Sequence, residues 1–491
     1  MHHNREGMNR QKAMASAALC ACFVTLLVLT LTTAATGPQV TVITGATVID
    51  GTGRAPIRGG VVVIEGDRIK TVGRAGKVKW PRDAQVVEAA GMYVVPGLID
   101  MHTHYREWQG ELFLAHGITS VKDLGNPVEW ISALSRMQVA GQLRGPRLFF
   151  VGNNLDASPP EGDHHIGIAN SSDIERAVRL LHQLGVTAIK VRHKVTPDQL
   201  AEITKAAHAL DLPVTGHLGK TDAMEAAQSG LDGLEHATGV ARAASKMPGQ
   251  VKTDAKGLAV FLEDLRGFSQ MDKAKETALI KKLVEKRVAL IPTLAVRRRI
   301  LLDTELARQE DSKYARDPSL AYVPESVRRH WIEAPVEQKI LEAFRGAEMD
   351  MMRKGYRRLE RFVREFHRAG GLVLAGSDNL NGVPGITLHR ELESLVAAGL
   401  EPYHALRAAT HSAARFLNRR DLGSIEPGQI ADMLVVRANP LDNIRHLREI
   451  EKVFQGGQLI EIRFQPDYAL PPSRPQLVRP LYLERLLAES N

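Results

Sequence analysis

The rhythm of hydrophobic and polar positions changes along the chain. Residues 40 to 92 hold β-branched runs, "VTVITGATVIDGTG", "GGVVVIEGDRIKTVG" and "AQVVEAAGMYVV", bounded by Gly-Asp and Gly-Thr turns. That pattern predicts short strands. Similar text returns as "GQIADMLVVRANP" and "IEKVFQGGQLIEIRF". Two β-rich ends around a different middle predict one small sheet domain built from residues 38–95 and 419–465.

The middle, residues 96–418, alternates between short apolar runs and helix-period segments. The runs are "VVPGLIDMHTH", "GITSVKDL", "PRLFFVGNNL", "VTAIKVRHK", "LPVTGHL", "GLEHA", "RVALIPTLAV" and "GLVLAGSDN". Eight strand-then-helix units predict an α/β fold of the (β/α)8 TIM-barrel type. A doubly wound open sheet is the alternative, but no glycine-rich phosphate loop follows the first strand. Residues 298–365 are too long and polar for a plain unit and predict a helical insertion on the catalytic face, a candidate lid. Residues 466–491 are a Pro-rich extension expected to pack on the barrel or on a neighbouring subunit, and a homo-oligomer is expected.

Residues 1–37 place Arg5, Arg10 and Lys12 ahead of an uncharged apolar stretch that ends in small residues. This is the pattern of a secretory signal peptide. It implies a secreted or periplasmic protein, with an uncleaved membrane anchor facing outside the cytoplasm as the rival. Both cysteines, Cys20 and Cys22, lie in this segment, so a mature chain would have neither disulfides nor thiolate ligands. The net charge of +8 is spread over helix-like faces without a nucleic-acid motif, so no nucleic-acid partner is expected.

Catalytic residues of such barrels stand at the C-terminal ends of the strands. Those ends carry His102 and His104 on the first strand, Lys190 on the fourth, His217 on the fifth, His236 on the sixth and Asp378 on the eighth. Each has an ordinary reading taken singly. The histidines could be polar strand ends, Lys190 could pair with Asp198, and Asp378 could cap a helix. Together, four neutral imidazoles and one carboxylate can hold two divalent metal ions. An ammonium beside cations is repelled, whereas a lysine amine that has reacted with CO2 becomes an anionic carbamate able to bridge them. Water between two such cations becomes a nucleophile at neutral pH. Asp378 would serve as general base and then as general acid to the leaving amine. Candidate substrate contacts are Arg192, His165 on the "GDHHIG" loop, and Tyr105.

The motifs "PGLIDMHTH", "AIKV", "VTGHLG", "GLEHATG" and "LAGSDN" resemble the metal-dependent amidohydrolase superfamily. The block from "LHRELESL" to "GQIADMLVV" resembles its C-terminal signature, and the likeness covers about residues 40 to 465. Within it, the imidazolonepropionase-like and Xaa-Pro dipeptidase-like branch is most similar. The single-metal deaminases place a glutamate soon after the fifth-strand histidine, where this chain offers only the distant Glu225. The resemblance implies a barrel flanked by a β-sandwich from both termini. It also implies that His102, His104 and Asp378 bind one metal, His217 and His236 the second, and carbamylated Lys190 both, with zinc the usual occupant. The expected substrate is a small peptide-like amide: a dipeptide, an N-acyl amino acid or a cyclic amide. An esterase, lactonase or phosphotriesterase on the same site is the alternative, and a non-catalytic metal-containing binding protein is the third reading.

Overall fold

The computed structural model describes residues 39–161, 164–246, 258–333, 338–339, 341–342, 344–379 and 382–475. The expected signal segment, 1–37, and the end of the extension, 476–491, lie outside the described residues. Among the described residues, no helix is long and apolar enough to cross a membrane.

Both ends of the chain share one eight-stranded sheet. Its strands are β1 (Val40–Val48), β2 (Ile57–Glu65), β3 (Arg68–Arg74), β4 (Gln85–Glu88), β5 (Tyr93–Pro96), β15 (Met433–Val436), β16 (Ile450–Gln455) and β17 (Gln458–Ile460). The order is β17-β16-β15-β5-β1-β2-β3, with β4 also on β1. β5 joins the two ends, running parallel to β1 and antiparallel to β15, with Val95 opposite Leu434. The unbroken "VVVI" of β2 reflects burial on both faces. Val62 and Ile64 pack with Ile43, Val435 and Phe454, while Val61 and Val63 pack with Val42, Val78 and Trp80.

Only Gly97 separates β5 from β6 (Leu98–Thr103). A Cβ there would stand 2.3 Å from Thr119 Oγ1, so the crossing requires glycine. β6, β7 (Ile118–Asp123) and β8 (Arg147–Phe150) form one parallel sheet. A second joins β9 (Asn154–Ala157), β10 (His165–Ile168), β11 (Ile189–Val191), β12 (Val214–Gly216), β13 (Gly233–Glu235) and β14 (Ala289–Ile291) in the order β10-β9-β11-β12-β13-β14. The arrangement is a TIM-barrel-like α/β fold. Backbone bonds link the sheets at both ends. Thr187 N donates to Phe150 O, Leu374 N donates to Leu290 O, and Met101 N donates to Ala375 O.

Helices follow the strands where caps start them. Thr196 and Gln199 form a reciprocal capping box on Pro197–His208, and Asp222 and Glu225 do so on Ala223–Gln228. The 298–365 stretch is helical over Thr304–Ala315, Glu325–Glu333 and much of Ala347–Arg368. Its described part is docked through Trp331. Trp331 is buried 6.0 Å from Trp108 and clusters with Leu320, Val323, Val383 and Ile386.

Candidate active site

β6 is buried along its whole length, so the polar side chain of His102 near its end enters a dry interior. His104 stands one residue past the strand, and its backbone N–H donates to Asn379 Oδ1 at 3.0 Å. The ring of His236 lies 4.4 Å from that of His102 and 4.7 Å from that of His217. Asp378 reaches all three nearest imidazoles. Its oxygens are 3.8 Å from His102 Nε2, 3.5 Å from His104 Nε2 and 3.8 Å from His236 Nδ1. Potential ligand atoms of His102, His236 and Asp378 all fall within 4.8 Å of one another.

Burial pushes His102, His104, His217 and His236 well below the usual imidazole pKa, and neighbouring positive charge adds to this. They are neutral donors at pH 7. Burial lowers Lys190 to about 7, and the Arg192 and Lys122 charges help. A large share of its amine is therefore unprotonated at neutral pH. Burial raises Asp378 to about 6 against the opposing pull of Lys190 and Arg192. Asp100, which accepts from the His102 and Ser377 backbone N–H groups, is raised to about 7, again by burial.

Glu235, overlooked in the sequence, organises the floor. Its Oε2 lies 2.6 Å from His102 Nδ1, so the carboxylate accepts from Nδ1–H and leaves Nε2 with its lone pair. Its other oxygen accepts from Thr215 and lies 3.9 Å from buried Lys122 Nζ. Thr293 Oγ1, 2.8 Å from His236 Nδ1, holds the second ring. The missed signal was a charge inside a short apolar run, as in "GLEHA" and "GITSVKDL".

The rim is also where the backbone is strained. His236, Ala237, Thr293 and Asp378 have φ of 59°, 56°, 46° and 44° without being glycine. Gly376 makes room beside them, since a Cβ there would meet His102 Cβ at 2.6 Å.

Of the three candidate substrate residues, only Arg192 lies against the cluster, its Nη1 3.4 Å from His217 Nδ1. Tyr105 corrects the expectation. The strand ends at Thr103, the Tyr105 N–H donates to Asp123, and the ring is fully buried, stacked on Phe113. His165 is not on a loop. It begins β10, buried, with Nδ1 3.9 Å from Asp156 Oδ2.

Buried imidazoles and a carboxylate gathered at the ends of parallel strands make a cluster that could hold a metal on an α/β scaffold. The chain belongs to the amidohydrolase family, whose model matches residues 93–460. An uncharacterized protein of Mycobacterium tuberculosis is 29% identical over 210 residues, 38% of this chain. The match spans 32% of that relative's length. A solved structure of a candidate prolidase from Bifidobacterium longum superposes with TM-score 0.65 at 22% identity, covering 92% of this chain and 99% of its own. A Xaa-Pro dipeptidase with methionine bound in its active site gives TM-score 0.62 at 18% identity, over 86% of this chain and 100% of its own. At these identities the structural likenesses speak to the fold.

Proposed function

We propose that this protein is a metal-dependent hydrolase of amide C–N bonds in small peptide-like substrates. The observation that carries the proposal is the cluster of His102, His236 and Asp378, with His104 and His217 against it and Lys190 beside it. The donor set fits divalent cations. His102 Nε2, Lys190 Nζ and Asp378 Oδ1 are buried without a hydrogen-bond partner, and the imidazoles are neutral. On this reading His102, His104, His217, His236 and Asp378 would hold two cations, zinc by the family's habit, and Lys190, as a carbamate, would add an anionic ligand. Its low pKa favours the neutral amine that reacts with CO2.

Bound cations would supply Lewis acidity and a water acidified to a nucleophile. The chain supplies the rest. Glu235 fixes the His102 tautomer and ring orientation. Asp378, ionised at pH 7 yet raised to about 6, is basic enough to take the proton of the attacking water. It returns that proton to the amine nitrogen as the C–N bond breaks.

The two parallel sheets are read as arcs of one (β/α)8 barrel over 96–418. The terminal sheet is read as folded around its apolar interior into a sandwich. The N-terminal segment motivates reading the protein as exported. The prolidase and Xaa-Pro dipeptidase likenesses favour dipeptides or N-acyl amino acids as substrates.

Turnover of a panel of dipeptides, N-acyl amino acids, lactones and phosphotriesters tests the assignment. Amide cleavage is expected to be lost in Lys190→Ala and partly restored by short carboxylic acids, which replace the carbamate. Exclusive turnover of the esters, or an unaffected Lys190→Ala enzyme, contradicts it.

A further inference from the structure

The C-terminal extension does more than pack. Phe464, just ahead of the extension, lies against Tyr314, and Tyr468 within it lies against Tyr322, so the extension meets the helical insertion. Tyr468 Oη then donates to Arg144 O at 2.9 Å, and Trp130 Nε1 donates to Pro472 O at 2.7 Å. These anchors bring Arg474 to the loop after β7. There its Nε donates to Asn126 Oδ1 at 2.7 Å. Arg106 Nη1, from the loop after β6, donates to the same oxygen at 3.0 Å. Arg474 Nη2 stands 3.4 Å from His164 Nδ1.

Two guanidinium forks thus meet at Asn126 with an imidazole beside them, and Arg106 is two residues along the chain from His104, one of the proposed ligands. Asn126 is held in turn by Asp123, which accepts from Asn126 Nδ2 at 2.6 Å. Paired guanidinium forks suit a carboxylate, which they bind through parallel N–H bonds. Dipeptides and N-acyl amino acids carry a free carboxylate close to the scissile amide.

We infer that Arg474 and Arg106 form a carboxylate-binding subsite beside His104, so that the C-terminal extension takes part in substrate recognition. This rests on the amidase reading for its substrate class. Arg474 therefore acts in binding, not in the bond-making steps.

The test uses the full-length, metal-loaded protein with Asp378→Asn to hold ligands uncleaved. N-acetyl-L-methionine and its carboxamide are titrated calorimetrically, with Arg474 intact, Arg474→Ala or Arg474→Lys. The acid is expected to bind more tightly than the carboxamide. Arg474→Ala should weaken the acid by about tenfold to a hundredfold, the usual worth of a charged hydrogen bond, and leave the carboxamide within about twofold. Arg474→Lys should recover part of the loss. Equal weakening of both ligands, no preference for the acid, or no effect of Arg474→Ala would overturn the subsite. Arg474-dependent acid binding, together with no amide cleavage by the enzyme with Asp378 intact, would keep the subsite while ending the amidase reading.

Discussion

The strand-end cluster and the interior of the terminal sheet are both buried, yet they are built on opposite rules. The sheet interior is apolar, with Ile43, Val62, Ile64, Val94, Met433, Val435 and Phe454 packed together. Among the described residues of 39–96 and 419–460 no non-glycine residue has positive φ. The cluster buries His102, Lys190, Glu235, His236 and Asp378 instead. It leaves ligand-type atoms without hydrogen bonds and holds strained backbone. The sheet interior is thus built for packing, while the rim gathers buried polar side chains. The rim pays a desolvation cost that a bound cation would offset.

Substitutions can separate the two. Asp378→Asn should lower kcat by about 10²–10⁴, the usual range for a general acid–base group, with little loss of folding stability. Steady-state kinetics beside a thermal melt would show it, and a variant that melts early but turns over normally would break the comparison. Phe454→Ala should do the reverse. Denaturant titration should find it less stable by about 3–5 kcal/mol, with kcat per folded molecule unchanged. Glu235→Gln removes the anionic acceptor from His102 Nδ1, and metal titration should find affinity lowered by about tenfold to a hundredfold. Gly376→Ala sharpens the contrast at one atom. The added methyl presses on His102 Cβ and should weaken metal retention by less than Glu235→Gln, which dialysis against a competing chelator can rank.

The sequence showed parts of this unequally. His102, His104, Lys190, His217, His236 and Asp378 were legible because each is a chemistry-bearing residue at the end of an apolar run. The periodicity locates such ends well. Glu235 was not, because its partner His102 is 133 residues away and only the fold brings them together. Tyr105 was named only for its place just past His104, and its buried ring stacked on Phe113 is set by the fold rather than by that neighbourhood. His165 was read from a loop-like string that pairs as β10 on β9, an extra parallel pair that apolar spacing did not reveal. Arg474 carried no signal in a Pro-rich tail. Its meaning comes from Asn126, reached from the other end of the chain.

The most direct test of the central claim combines metal content with turnover in one preparation. Elemental analysis of the purified protein should find about two divalent cations per chain, as a two-metal hydrolase requires. Amide hydrolysis should fall with their removal by a chelator and return when zinc is added back. Full amide turnover by the metal-free chain would contradict the account.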